Sequence, residues 1–394
     1  MQWLSQTHQW AKTATVIAGA GLAWALLSGS TADAYHWNLP DWVPRPVVPA
    51  DNPMSTAKVE LGRHLFYDKR LSADNTQACA TCHLQNKAFT DGLPVATGIT
   101  GQKGSRSAMA LVNTAYLPTL TWANPQITSL EVQALVPIFG EHPVEMGMAG
   151  KEQLLFARLK SDPVYRPLFA QAFPGEAAQG DEALFSLSTI TKAIASFQRS
   201  LLSFNSAYDR YKYANQPQAI SAAAKRGENL FFGERLECYH CHGGFNFTDN
   251  IQHTRLSFAE RGFHNTGLFN LDGKGAYPAD NTGISEFTGD AADMGKFRTP
   301  TLRNIAKTAP YMHDGSIATL EQVLRQHYAR AGRAGSGKGG PSPLRSELIA
   351  GFDISKAEVA DVIAFLNTLT DEAFLTNPAH SDPWKQVSNT PIRP

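Results

Sequence analysis

Cys79-Ala80-Thr81-Cys82-His83 and Cys238-Tyr239-His240-Cys241-His242 together contain every cysteine of this 394-residue chain. Each is a C-x-x-C-H pattern, the attachment signature of a c-type haem. The spacing has a covalent reason. Two thiols separated by two residues can add to the two vinyl groups of one porphyrin, and the adjacent histidine is then held under the iron as its proximal ligand. C-x-x-C also suits zinc or a disulfide, but zinc ribbons do not need a histidine directly after the second cysteine, and disulfide scaffolds are much shorter than this chain. Two copies that use up all the cysteines point to two covalently bound haems. Cys79, Cys82, Cys238 and Cys241 are then the attachment residues and His83 and His242 the iron ligands, with His240 a spacer.

Haem attachment of this kind takes place outside the cytoplasm, and the N-terminus agrees with export. Lys12 precedes an apolar stretch from Thr13 to Leu27, followed by small residues and Ala32-Asp33-Ala34. That is the layout of a secretory signal, residues 1–34, cleaved before Tyr35; the competing reading is a retained membrane anchor, for which the run is short. No later segment reaches the length of a transmembrane helix. Lysine plus arginine and aspartate plus glutamate each number 35, which gives no sign of nucleic-acid binding or of attraction to an anionic membrane. The remaining ~360 residues suffice for two domains.

A repeat sets the domain count. Gly62-Arg63-His64-Leu65-Phe66-Tyr67-Asp68-Lys69-Arg70-Leu71 leads to Cys79, and Gly227-Glu228-Asn229-Leu230-Phe231-Phe232-Gly233-Glu234-Arg235-Leu236 leads to Cys238, so G-x-x-L-F-x-x-x-R-L precedes both motifs. The expected architecture is mainly α: two cytochrome-c-like haem domains, residues 35–205 and 206–394, with long loops, few short strands and a last helix that packs back on the first domain. Val59, Leu61, Leu65 and Phe66 form one apolar stripe; Leu154, Leu155, Leu159, Tyr165 and Phe169 form others. Ile190, Ile194, Phe197 and Leu201 predict a long amphipathic helix over Ile190–Phe204 joining the halves. Ser355-Lys356-Ala357-Glu358 is a capping box that opens a helix through Val362, Ile363, Phe365 and Leu366. Loops are expected over 91–107, 264–295 and 331–343, the last glycine-rich and exposed.

With Asp51-Asn52-Pro53-Met54, Thr121-Trp122-Ala123-Asn124-Pro125, Pro143-Val144-Glu145, His264-Asn265-Thr266-Gly267-Leu268, Arg298-Thr299-Pro300-Thr301-Leu302-Arg303-Asn304 and Ala309-Pro310-Tyr311-Met312-His313-Asp314-Gly315-Ser316, the chain resembles the bacterial dihaem cytochrome c peroxidase and MauG superfamily. Within it the likeness is strongest to the MauG-like MbnH branch associated with methanobactin and copper-responsive operons. The resemblance implies a distal histidine after the first motif in the peroxidases; Leu93 to Arg106 holds none, so the first haem is expected to be open to peroxide. It implies Gln133 and Glu145 over that face, Glu145 moving protons during O–O cleavage, and Trp122 between the haems. It implies a sixth ligand to the second iron: methionine in peroxidases fed by small cytochromes, tyrosine in MauG. Tyr328 fits the latter, but the interval from Thr319 is one residue long, which leaves His327 as the alternative; Tyr311, Met312 and His313 are weaker candidates. A calcium ion would lie near Ser107, where the family has asparagine, and Thr299-Pro300.

By the same resemblance the function is that of an exported oxidase, periplasmic or surface-exposed. It would use hydrogen peroxide to reach a high-valent dihaem state and oxidise an aromatic residue, tryptophan to kynurenine, on a copper-binding partner protein. The alternative is a cytochrome c peroxidase that reduces peroxide with electrons from a small cytochrome or cupredoxin; a non-enzymatic electron carrier would need both irons six-coordinate. Trp37, Trp42 and Trp384 could be relay points or plain packing residues.

Overall fold

Gly62 and Gly227, the repeated glycines, sit where helices cross. In the computed structural model, which describes residues 35–332 and 341–387, helix α1 (Thr56–Phe66) packs on α4 (Leu187–Arg199), and α5 (Ala222–Phe231) packs in the same way on α6 (Lys356–Asn367). A Cβ on Gly62 would lie 1.9 Å from the carbonyl oxygen of Ala193, and one on Gly227 would lie 2.0 Å from that of Asp361. Both pairs therefore depend on backbone-to-backbone contact that no other residue allows. Gly62→Ala or Gly227→Ala is expected to force the helices apart at a cost of ~1–3 kcal/mol, read as a lower midpoint in denaturant with the haem stoichiometry unchanged; an unshifted midpoint would refute the crossing.

The predicted stripes form the cores of the two helix pairs. Leu61, Leu65 and Phe66 are wholly buried, as are Leu155, Leu159, Tyr165 and Phe169, whereas Leu154 is 43% exposed and belongs to the surface. Val359, Val362, Phe365 and Leu366 of α6 meet Phe231 and Leu236. The Ser355 capping box is present: Ser355 Oγ accepts from the Glu358 amide at 3.3 Å and the Ser355 amide donates to Glu358 Oε2 at 2.9 Å. The helix expected over Ile190–Phe204 is displaced. It starts at Leu187, capped by Ser186, and ends at Arg199, because beyond it the chain is captured by buried side chains: the Ser203 amide donates to Asn113 Oδ1 and the Asn205 amide to Asp371 Oδ2. It is amphipathic as expected, but its polar face is largely covered as well: every residue from Ala193 to Arg199 is buried.

Strand content is confined to two antiparallel pairs, β1 (Asn250–Ile251) with β2 (Glu260–Arg261), and β3 (Phe263–Asn265) with β4 (Lys296–Arg298). After α6 a short helix, α7 (Glu372–Thr376), and the following segment return to α1: Phe374 and Leu375 join Phe66 and Phe89, the Tyr67 hydroxyl donates to the His380 carbonyl at 2.7 Å, and Trp384 Nε1 donates to the His64 carbonyl at 3.1 Å. Residues 1–34, where a secretory signal is expected, and most of the glycine-rich loop, residues 333–340, lie outside the described residues. No helix among the described residues is long and apolar enough to cross a membrane.

Candidate haem sites

The two C-x-x-C-H motifs are built alike. At the first, His83 Nδ1 lies 2.7 Å from the Phe89 carbonyl; at the second, His242 Nδ1 lies 3.2 Å from the Phe247 carbonyl. A carbonyl only accepts, so Nδ1 carries the proton in each ring and Nε2 is left with its lone pair, the tautomer an iron ligand needs. Burial holds both imidazoles below their ordinary pKa, which keeps them neutral. Ala88, Phe89 and Phe247 adopt left-handed backbone (φ 52°, 62° and 51°) to turn these carbonyls inward, a strain that functional sites commonly carry. Asp91 and Asp249 follow as the charges that partly offset the burial of the two histidines. The signal for this was in the chain: Phe89-Thr90-Asp91 and Phe247-Thr248-Asp249 extend the repeat past each motif.

Whether these residues fit two thioether-bound haems can be judged from the thiols. Burial pushes Cys79 and Cys238 up to about 12 and Cys82 up to about 11, and none is in a disulfide. Free thiols two residues apart, each pair followed by a histidine whose Nε2 is left unprotonated, are what thioether attachment of one haem at each motif requires. His240 is exposed and lies 3.7 Å from Glu237, away from any ligand role. Cys241 also stands beside Asp249 and His264, with His264 Nε2 2.6 Å from Asp249 Oδ2. This carboxylate–imidazole pair flanking the second motif was not anticipated.

Around the first motif, Glu145 is close enough for its charge to oppose ionisation of both Cys79 and Cys82, and burial raises its own pKa. Its segment is zipped onto helix α2 (Leu130–Phe139) by the Met146 amide on the Pro137 carbonyl and the Met148 amide on the Ile138 carbonyl, both 3.0 Å. Gln133 rides the same helix one turn before Pro137. Trp122 borders a cavity whose wall draws on both sites: Thr90, Asp91 and Met109 from beside His83, Pro300 and Thr301 from beside His242. Its Nε1 donates to the Ser107 carbonyl at 2.9 Å.

Thr299 does not fit a calcium ion. Its carbonyl already accepts from Thr248 Oγ1 at 2.8 Å, and the buried Arg298 guanidinium lies 3.4 Å from the same oxygen, so a divalent cation would meet a positive charge.

The extra residue before Tyr328 is taken up by a π-helix over Val323–His327, in which the Tyr328 amide reaches the carbonyls of both Leu324 and Val323. One residue is thereby looped out of the α register. Tyr328 then faces the second motif: after burial, proximity to Cys241 and Cys238 is what raises its phenol pKa. A phenolate there would need a bound cation to stabilise it. His327, its ring 4.7 Å away and edge-on, is fully buried and neither nitrogen has a well-formed hydrogen bond. Burial lowers it to about 4, offset by the Thr266 backbone and not by the cysteines.

The di-haem cytochrome c peroxidase family matches residues 56–217. The methylamine utilization protein MauG of Methylophilus methylotrophus is 34% identical over 89% of this chain and 91% of its own length. Cytochrome-c peroxidase IdrP1 of Denitromonas iodatirespirans is 33% identical, covering 91% and 93%. A solved MauG-like protein associated with microbial copper homeostasis shares 48% identity and a TM-score of 0.84 over 89% of this chain and all of that one.

Proposed function

We propose, because this chain belongs to the di-haem cytochrome c peroxidase and MauG family and is a haem-dependent oxidoreductase, that it is a MauG-type periplasmic oxidase acting on a partner protein. The observation that carries this reading is Tyr328, brought by the π-helix to face Cys238 and Cys241 where an electron-fed peroxidase would hold a methionine. Two haems bound at the motifs would supply peroxide activation at one iron and electron transfer at the other. His83 and His242 would hold the irons from below, and Tyr328 would be the sixth ligand at the second. Glu145, raised by burial, would take a proton from the inner peroxide oxygen and return it to the outer one, with Gln133 orienting the peroxide by hydrogen bonding. Trp122 would pass charge across the cavity between the sites.

The partner, on this reading, is a copper-binding protein, in keeping with the copper association of the 48%-identical relative. Conversion of its tryptophan to N-formylkynurenine takes two oxygen atoms and four electrons, matched by two hydrogen peroxide molecules reduced with release of two waters; hydrolysis then gives kynurenine and formate. The test is a peroxide titration of the ferric protein followed by absorption and EPR, with Tyr328→Met beside wild type. Wild type should reach a long-lived oxidised state without prior reduction, and the variant should lose it. If wild type stays inert until half-reduced, the chain is a peroxidase fed by a small redox protein and the Tyr328 assignment fails.

A further inference from the structure

Trp42 and Tyr213 are stacked, ring centroids 3.9 Å apart and 12° from parallel. It is the closest tryptophan–aromatic pairing among the described residues, and nothing in the reactions above uses it. Tyr213 is 41% exposed, so the stack reaches solvent at one edge. From its other edge rings lead inward. Trp42 meets Phe204 at 5.7 Å, Phe204 meets Phe245 at 6.0 Å, and Tyr116 bridges Phe204 and Phe245 at 5.8 and 5.2 Å. Phe245 lies two residues before Phe247, whose carbonyl holds the His242 ring. An aromatic ladder thus runs from the surface to Phe245, and two residues of backbone carry it on to the carbonyl that holds His242.

The charges around the stack permit oxidation. The Arg303 guanidinium is 6.0 Å from the Trp42 ring, and alone it would disfavour loss of an electron there. It is neutralised by Asp209, which accepts from both Arg303 Nη atoms at 2.9 Å. Overlap of two electron-rich rings face to face spreads a hole over both. Of the other half-buried tryptophans, Trp122 lines the cavity between the motifs and the remaining two have no stacked partner: Trp37 meets Tyr35 edge-on, and Trp384 meets His64 edge-on.

We infer that the Trp42–Tyr213 stack is the surface terminus through which oxidising equivalents leave the second haem site, and that without a partner it is itself oxidised. This rests on the peroxide chemistry proposed above. Each ring gives up one electron and one hydrogen as a proton to water, and a covalent bond forms between them. The two electrons and two protons account for reduction of one hydrogen peroxide to two waters.

The test treats the holoprotein with hydrogen peroxide in the absence of any partner, follows absorption, and maps peptides by mass spectrometry in wild type, Trp42→Phe and Tyr213→Phe. Wild type should yield a Trp42–Tyr213 cross-linked peptide lacking two hydrogens, with the Trp37 and Trp384 peptides unchanged. Both variants should lose the cross-link and keep the oxidised absorption longer. An optical response with the stack untouched, or with Trp37, Trp42 and Trp384 oxidised alike, overturns the relay and leaves the proposed function standing. No optical response removes both.

Discussion

Glu145→Gln is expected to slow the reaction of the ferric protein with hydrogen peroxide by a factor of ~10²–10⁴, the usual worth of a positioned general acid–base. Glutamine keeps the shape and the polar contacts of the side chain but cannot carry a proton between two oxygens. The pH dependence has a definite sign. Burial raises the Glu145 carboxyl, so the folded protein holds this proton more tightly than the unfolded chain does. The stability linked to it is complete below the unfolded pKa and is lost as pH rises through the folded value. The peroxide rate, measured by stopped flow, should show a limb above the ordinary glutamate range that disappears in Glu145→Gln. A limb that persists in the variant would assign the proton to another group.

Arg303→Leu is expected to cost ~3–5 kcal/mol of stability, the effect of stripping one partner from a buried ion pair. The Arg303 side chain is wholly buried and Asp209 nearly so. Besides its two bonds to Asp209, Arg303 donates Nε to the Phe245 carbonyl at 2.9 Å, three residues after His242. The substitution leaves Asp209 charged and unpaired in the interior, and it frees the chain beside the second haem site. Denaturant unfolding should show the loss, and Asp209→Asn/Arg303→Leu together should recover part of it. A loss below ~1 kcal/mol would mean that the pair behaves as a surface salt bridge.

Much of this is legible in the amino-acid sequence alone. The C-x-x-C-H motifs, the helix stripes and the Ser355 cap follow from covalent spacing and hydrophobic period, which are local properties. The repeated glycines were visible too, but their purpose was not, because the Ala193 and Asp361 carbonyls they admit lie more than a hundred residues along the chain. The end of α4 was misplaced for a related reason: Asn113 and Asp371 compete for its backbone from distant segments, and no helical period encodes that. Phe89-Thr90-Asp91 and Phe247-Thr248-Asp249 could have been read as part of the repeat, since the triplet recurs. Their role, a carbonyl turned back on a histidine, depends on left-handed φ values that phenylalanine and alanine do not announce. Thr299 failed as a cation site because of the guanidinium of its own neighbour.

The single looped-out residue over Val323–His327 amounts to a switch in reading frame. Successive residues of an α-helix point about 100° apart, so His327 and Tyr328 cannot both face the second motif; with the bulge it is Tyr328 that lies beside Cys241 and Cys238. Removing one residue from that turn, Gln326 for example, would restore the regular helix and leave Tyr328 in the place the bulge now gives it, whereas the same extra residue without a bulge would put His327 there. Which side chain meets Cys238 and Cys241 is therefore written in the length of the chain as much as in its letters.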